Sequence, residues 1–315
     1  MKWGAFMKPV YMINGFLESG KTSFISYTLA QPYFRTAGRT LMILCEEGEE
    51  EYDASLIKKS KTIVEIIEDE EQFSPEYLLE LDKKYNPERI VIEYNGTWNY
   101  RNMKLPIVWT MEQQITIIDG STFLSYFANM KSLMVEQLRA SELVVVNRCD
   151  GIEDLASYKR NIKAVAQNAE IVFEDSKGEI NVTMDEELPF DVHADVIELD
   201  DKGYGAWYID SLDNLPRYVG KTINFIGMVM KPKKFPKGYF VPGRQAMTCC
   251  ANDIAFLGFA CRYDKIDELK EGSYVKVSAK VKCEYFSEYR GEGPILEAVS
   301  IIPAIKPEKE IIDFT

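Results

Sequence analysis

Histidine is almost missing from this 315-residue chain, which carries only His193. One imidazole cannot build a histidine-rich metal site, and it reads as an ordinary linker residue. Cysteine is also sparse. The six thiols are scattered apart from the adjacent pair Cys249 and Cys250, which is not the spacing of a secreted disulfide framework. Positive charge is short as well: 37 Lys and Arg face 50 Asp and Glu, a formal net charge of -13. That field repels nucleic acid and anionic membranes, so no nucleic-acid partner is expected. No stretch approaches the roughly 20 apolar residues of a membrane span, so no membrane insertion is expected. The start, Met1 to Lys8, shows no long apolar core followed by a small-residue cleavage site. A cytoplasmic location with reduced thiols is the expectation. Internal repeats and low-complexity segments are absent too.

What is present is a globular composition, 46% hydrophobic and 28% charged, with length enough for two cored domains. The most informative segment is GFLESGKT, Gly15 to Thr22, directly after the apolar run Val10, Tyr11, Met12, Ile13. A glycine-framed loop between a strand and a helix turns its backbone N–H groups toward a phosphate chain, and the helix N-terminus adds positive potential. Gly15, Glu18, Ser19, Gly20, Lys21, Thr22 and Ser23 are therefore candidate nucleotide-binding residues. Lys21 supplies an ammonium for the β- and γ-phosphates, and Thr22 a hydroxyl for Mg²⁺.

Strand-like runs over Val10–Asn14, Thr40–Cys45, Thr62–Ile67, Arg89–Tyr94, Ile115–Asp119 and Leu143–Asn147 alternate with helical stretches such as Lys21–Leu29, Pro75–Tyr85, Ser132–Arg139 and Asp154–Ala166. Ser74 and Pro75 suit the N-cap and first position of the second of these helices. The pattern predicts an α/β P-loop NTPase domain with a mostly parallel sheet over residues 1–185. The acidic stretch Lys177 to Asp201 reads as its exit, and 186–217 as a linker. From Tyr218 onward, strand-like runs over Thr222–Met230, Ile254–Ala260, Tyr274–Val281 and Ile295–Ile302 are punctuated by glycines. They predict a small, mostly antiparallel OB-like β-barrel over 218–315.

Leu143 to Val146 lead into Asn147-Arg148-Cys149-Asp150, where GTPases carry Asn-Lys-x-Asp. A carboxylate there accepts hydrogen bonds from the guanine N1–H and exocyclic amine, and adenine has no such donor pair. Asn147, Arg148 and Asp150 are the candidate base-binding residues, with the planar Arg148 guanidinium covering base and ribose. An ATP-dependent P-loop enzyme remains the rival assignment. Two acidic segments can complete the metal–phosphate site: Cys45-Glu46-Glu47-Gly48, running on to Asp53, and Glu93-Tyr94-Asn95-Gly96. Thr22, Glu46 and Glu93 are the candidate Mg²⁺ ligands. Lys21 carries most of the expected catalysis, with Glu46 and Asp53 as candidates to orient the attacking water. Gly96 offers its N–H to the γ-phosphate.

The ordered motifs GFLESGKT, CEEGEEEYD, IEYNG, ITIIDG and NRCD resemble the CobW-type branch of the SIMIBI GTPases, relatives of HypB and UreG, from about Lys8 to Glu174. The resemblance matches Glu46, Gly48 and Asp53 to one family motif and Glu93 and Gly96 to the next. It gives Asp119, at the end of the fifth strand, a structural role. It implies GTP hydrolysis with Mg²⁺, coupled to metal delivery or metallocofactor assembly. The implied partners are GTP and GDP, a metalloprotein client and, in some arrangements, a second copy of the chain. The family's Cys-x-Cys-Cys motif is absent: no cysteine lies between Cys45 and Cys149. Cys45 also stands where the family has Asn, and Glu18 where it has Gly. The remaining thiols gather late, and GRQAMTCCAND resembles the C-terminal domain of YcgQ-like proteins, partners of predicted permeases. Cys249 and Cys250 are thus candidate ligands for a soft ion such as Zn²⁺, provided a bulge turns both to one side. The alternative function is a nucleotide-gated adaptor for a membrane transporter component, with little hydrolysis.

Overall fold

A computed structural model describes residues 7–46, 48, 50–182, 188–247 and 254–312. The chain divides into two compact units, Met1–Leu155 with Asn168–Asn181, and Ala156–Gln167 with Val182–Thr315. Among the described residues no helix is long and apolar enough to cross a membrane.

In the first unit the chain runs β1 (Lys8–Asn14), α1 (Lys21–Ala30), β2 (Thr40–Leu44), α2 (Ala54–Lys59), β3 (Thr62–Ile66), α3 (Pro75–Tyr85), β4 (Arg89–Glu93), β5 (Trp109–Asp119), α4 (Phe123–Asn129), α5 (Lys131–Leu138), β6 (Leu143–Asn147), β7 (Glu170–Asp175) and β8 (Gly178–Ile180). The strands form one sheet in the order β3-β2-β4-β1-β5-β6-β7-β8, parallel except for the β7–β8 hairpin. Parallel strands covered on both faces need apolar residues throughout, and every residue of β4 is buried. Helix α3 starts where Ser74 accepts a hydrogen bond from the Tyr77 N–H and Pro75 takes the first turn, a cap of about 1 kcal/mol. β1 lies between β4 and β5, with Ile13 opposite Glu93. The carboxyl ends of β1, β4, β5 and β6 therefore meet, which is where open α/β sheets bind ligands.

The second unit comprises α6 (Leu155–Val165), β9 (Val196–Glu198), α7 (Asp201–Asp213), β10 (Thr222–Met230), β11 (Tyr239–Met247), β12 (Ile254–Gly258), β13 (Ala260–Arg262), β14 (Tyr274–Phe286), β15 (Gly291–Pro303) and β16 (Ile311–Ile312). β11, β13, β15, β14 and β10 close on one another as a five-stranded barrel, with β13 and β15 parallel and the other neighbours antiparallel. That is the OB-like arrangement. Strict alternation turns Ile223, Phe225 and Val229 of β10 and Val275, Val277, Ala279 and Val281 of β14 into the barrel.

Two boundary expectations change. Residues 186–217 are not a bare linker. They hold β9 and the 13-residue α7, capped by Asp200, whose carboxylate accepts from the Gly203 N–H at 2.7 Å. The aromatic residues of α7 explain why: Tyr204 and Trp207 are buried against Phe225, and the Tyr204 hydroxyl donates to the Leu257 carbonyl at 2.9 Å. Helix α6, expected in the first domain, groups with the second unit. Ala156 joins that core, and Lys163 Nζ pairs with Asp213 at 2.6 Å.

Candidate functional site

The loop after β1 takes backbone angles that ordinary residues avoid. φ is +143° at Gly15, +61° at Glu18 and +98° at Gly20. A Cβ on Gly15 would collide with the Ile117 carbonyl oxygen, and one on Gly96 would collide with the Gly15 carbonyl oxygen. Glycine is thus required twice where two strand ends approach each other. Gly20 is the N-cap of α1 and offers no side-chain cap, and no acid sits in the first turn. The first N–H groups of α1 and its dipole consequently face the loop's concave side.

Lys21 is only 3% exposed, and its ammonium donates to the Gly15 and Phe16 carbonyls, both at 3.0 Å, and to Glu46 Oε2 at 2.6 Å. Thr22 Oγ1 donates to Glu93 Oε1 at 3.1 Å, and the Tyr52 hydroxyl donates to Glu93 Oε2 at 2.5 Å. Ser23 Oγ donates to Glu50 Oε2 at 2.6 Å. With Glu46 and Glu50 folded onto the loop, the space beside Lys21, Thr22 and Arg148 is about 30 Å³. A phosphate chain entering here must displace Glu46 from Lys21. Burial pushes the Glu93 carboxyl up, opposed by the Tyr52 hydrogen bond, the Lys21 charge and Thr22.

Thr22 and Glu93 present a hydroxyl and a carboxylate side by side, hard oxygen donors of the kind Mg²⁺ takes. The donor set fits that ion. Cys45, beside them in sequence with Glu46, does not enlarge it. Burial pushes its thiol well above the usual range, which disfavours the thiolate a metal would need.

At the end of β6, Asn147 and Arg148 tie down the loop after β1. Asn147 Nδ2 donates to the Ser19 carbonyl at 2.7 Å, and Arg148 Nη1 to the Glu18 carbonyl at 2.8 Å. Arg148 Nη1 also bonds Asp119 Oδ2 at 2.5 Å. Burial opposes charge on Asp119, yet hydrogen bonds from Ser121 and Arg148 hold its carboxyl below the ordinary value. Asp119 therefore orients Arg148. Asp150 is exposed, and its carboxylate accepts from the Ser176 N–H at 3.1 Å and the Ser176 hydroxyl at 2.5 Å, which keep it ionised.

Gly15, Glu18, Ser19, Gly20, Lys21, Thr22, Ser23, Glu46, Glu93, Gly96, Asn147 and Arg148 thus lie on or against one loop, and Asp150 follows two residues on. Asp53 does not join them. Its carboxylate is the N-cap of α2, accepting from the Ser55 N–H at 2.6 Å, and it is exposed. The structure thus places this water-orienting candidate at the start of α2, apart from the others. Cys249 and Cys250 lie outside the described residues. Among the described residues no group of three or more His, Cys, Asp or Glu is placed to hold a metal ion. Sequence reasoning missed three participants. Ser176 sits in the Asp-Ser-Lys-Gly turn between β7 and β8, a turn signal that deserved a partner. Gln137 on α5 donates to the Gly96 carbonyl at 2.7 Å and left no mark in any motif. Tyr52 is masked by an acidic run.

A family model described as the CobW/HypB/UreG nucleotide-binding domain matches residues 9–173, just over half of the chain. A second, described as the DUF1980 C-terminal domain, matches residues 175–312. No curated protein matches. Among solved structures, the hydrogenase maturation factor HypB from Archaeoglobus fulgidus is 17% identical with a TM-score of 0.41, covering 55% of this chain and 83% of its own. Zn(II)-bound YjiA GTPase from E. coli is also 17% identical with a TM-score of 0.41, over 56% of this chain and 59% of its own. HypB from Helicobacter pylori in complex with nickel is 14% identical, with a TM-score of 0.35, over 53% and 80%. At such scores and identities these likenesses support no inference about chemistry.

Proposed function

We propose that this chain, which belongs to the CobW/HypB/UreG family through its nucleotide-binding domain, is a Mg²⁺-dependent GTPase of the cytoplasm. Its turnover of GTP to GDP and phosphate would be coupled to metal handling or metallocofactor assembly. The observation that carries the guanine assignment is the pose of Asp150. Both of its carboxylate oxygens are fixed by Ser176, and it stands two residues beyond Arg148, which bonds the loop after β1. A fixed acceptor pair matches the guanine N1–H and amine, and it would leave adenine unpaired. Arg148, braced by Asp119, covers the base and ribose.

Lys21 would trade Glu46 for the β- and γ-phosphate oxygens, gaining charge-assisted hydrogen bonds in a site where it is already desolvated. Thr22 and Glu93 would hold Mg²⁺, which when bound supplies charge neutralisation across the phosphates. The Gly96 N–H lies in a loop tied to α5 by Gln137 and touching the phosphate loop, where it can donate to the γ-phosphate. Zn²⁺ is the candidate cargo ion, and a metalloprotein client, a permease component and a second copy of the chain are the candidate partners.

One observation favours the alternative of a nucleotide-gated adaptor with little hydrolysis. Asp53 is consumed as a helix cap, so the only switch-segment acid on the phosphate-binding lysine is Glu46 among the described residues. Single-turnover hydrolysis of GTP by the purified protein separates the two. Loss of GTP with Mg²⁺ supports the enzyme, whereas tight binding with no GTP loss supports the adaptor.

A further inference from the structure

We propose that Tyr52 is a positioning residue for the metal site: its hydroxyl orients the Glu93 carboxylate so that the oxygen beside Thr22 faces a hard divalent cation. The inference rests on the reading of Thr22 and Glu93 as Mg²⁺-holding residues.

Glu93 ends the fully buried β4 and is itself 5% exposed. A carboxylate so placed needs hydrogen-bond donors on both oxygens, or it costs free energy to keep charged. Among the described residues two side chains donate to it, one to each oxygen: Thr22 to Oε1 at 3.1 Å and Tyr52 to Oε2 at 2.5 Å. The division of labour is plain. Thr22 belongs to the phosphate loop, and its hydroxyl has lone pairs of its own to offer a cation. Tyr52 fixes the second oxygen, which stops the carboxylate from turning. Outer donors of this kind orient metal-holding carboxylates, and removing them typically costs ten- to a hundredfold in metal affinity.

The tyrosine ring is held independently of its hydroxyl. It packs against the cluster built from Ile13, Ile25 and Met42, together with Leu44, Leu56 and Ile57. Position and donor can therefore be separated by a single-atom change. Tyr52 also belongs to the short segment between β2 and α2 that carries Glu46 onto Lys21. One stretch of chain thus touches both the phosphate-binding lysine and the metal-side carboxylate. When phosphate takes Lys21 from Glu46, the Tyr52 bond keeps the following residues docked on Glu93.

The test is the Mg²⁺ dependence of binding of a fluorescent GDP analogue to the full chain. Tyr52→Phe is expected to raise the Mg²⁺ concentration for half-maximal tightening about tenfold. GDP affinity in EDTA should stay within about twofold because ring packing is kept, while the lost donor to a buried carboxylate should lower the melting temperature by a few degrees. In a Glu93→Gln background, Tyr52→Phe should add little further shift, since the two act through one carboxylate. Superimposable Mg²⁺ titrations for the parent and Tyr52→Phe would overturn the proposal while leaving the metal site standing. A parent protein that binds GDP with no response to Mg²⁺ would overturn the metal-site reading, and Tyr52's role with it.

Discussion

The two units differ in what their buried charged groups pair with. In the second, the fully buried Asp210 accepts from the Tyr218 hydroxyl at 2.5 Å and Asn214 Nδ2 at 2.8 Å, with Arg217 at 3.2 Å. Arg244, also buried, bonds Asp201 at 2.5 Å and the Lys309 carbonyl. These networks tie α7 and the barrel strands internally. In the first unit the buried Lys21 leans on loop carbonyls and a displaceable glutamate. Ser19 Oγ and Asn147 Oδ1 are buried there without a hydrogen-bond partner among the described residues, as are Trp207 Nε1, Ser211 Oγ and Arg244 Nε in the second unit. It is therefore the partners of the charged groups that differ. Backbone strain gathers in that same loop. Ion pairs closed within the fold hold it together, while a buried lysine on a displaceable partner beside a strained loop marks where a ligand is to supply the bonds.

The sharpest way to break that contrast is Lys21→Ala. It should lower nucleotide affinity at least a hundredfold by fluorescence titration and leave the second unit's melting untouched. An unchanged affinity would remove the lysine from the phosphate site. Asp210→Ala should do the reverse. Stranding Tyr218, Asn214 and Arg217 should cost the second unit about 3 kcal/mol by chemical denaturation, with GTP affinity preserved in native buffer. Ser176→Ala should have a smaller, selective effect. With Asp150 less firmly held, GTP affinity should fall five- to tenfold while the folded state melts as before. The mildest is Asp53→Ala, which removes a helix cap. Its single-turnover rate should stay within about twofold of the parent's, with a slightly earlier melt. A loss of hydrolysis there would return Asp53 to the catalytic group.

Much of this contrast is visible in residue order. The glycines and Gly-Lys-Thr of the phosphate loop, the buried run into Glu93, and the apolar strand into Asn147-Arg148-Cys149-Asp150 are local patterns, and local patterns survive folding. The barrel is foreshadowed by the strand-like runs of β10, β14 and β15, whereas β11, with Pro242 and Gly243 in its middle, carries no strand signal. What stayed hidden depends on contacts far apart in sequence. The helical stretch Asp154–Ala166 gives no local sign of its unit, because its partner Asp213 lies fifty residues beyond Lys163. The Gly, Tyr and Trp of α7 read as irregular because its face is defined by the barrel core it fills. Asp53 had the right neighbours for a switch acid. Its position one residue before α2 made it a cap, a competition between roles that composition cannot decide. Tyr52 lay inside a run of glutamates, where its hydroxyl's one buried partner is forty-one residues away.

The central claim is that the first unit is a guanine-specific nucleotide site whose base selectivity rests on Asp150. Calorimetric titration of GTP and ATP, each with Mg²⁺, into the parent protein and Asp150→Asn tests it most directly. The account predicts GTP binding at least a hundredfold tighter than ATP in the parent, with that preference lost in Asp150→Asn. Equal affinities for the two nucleotides in the parent protein would contradict it.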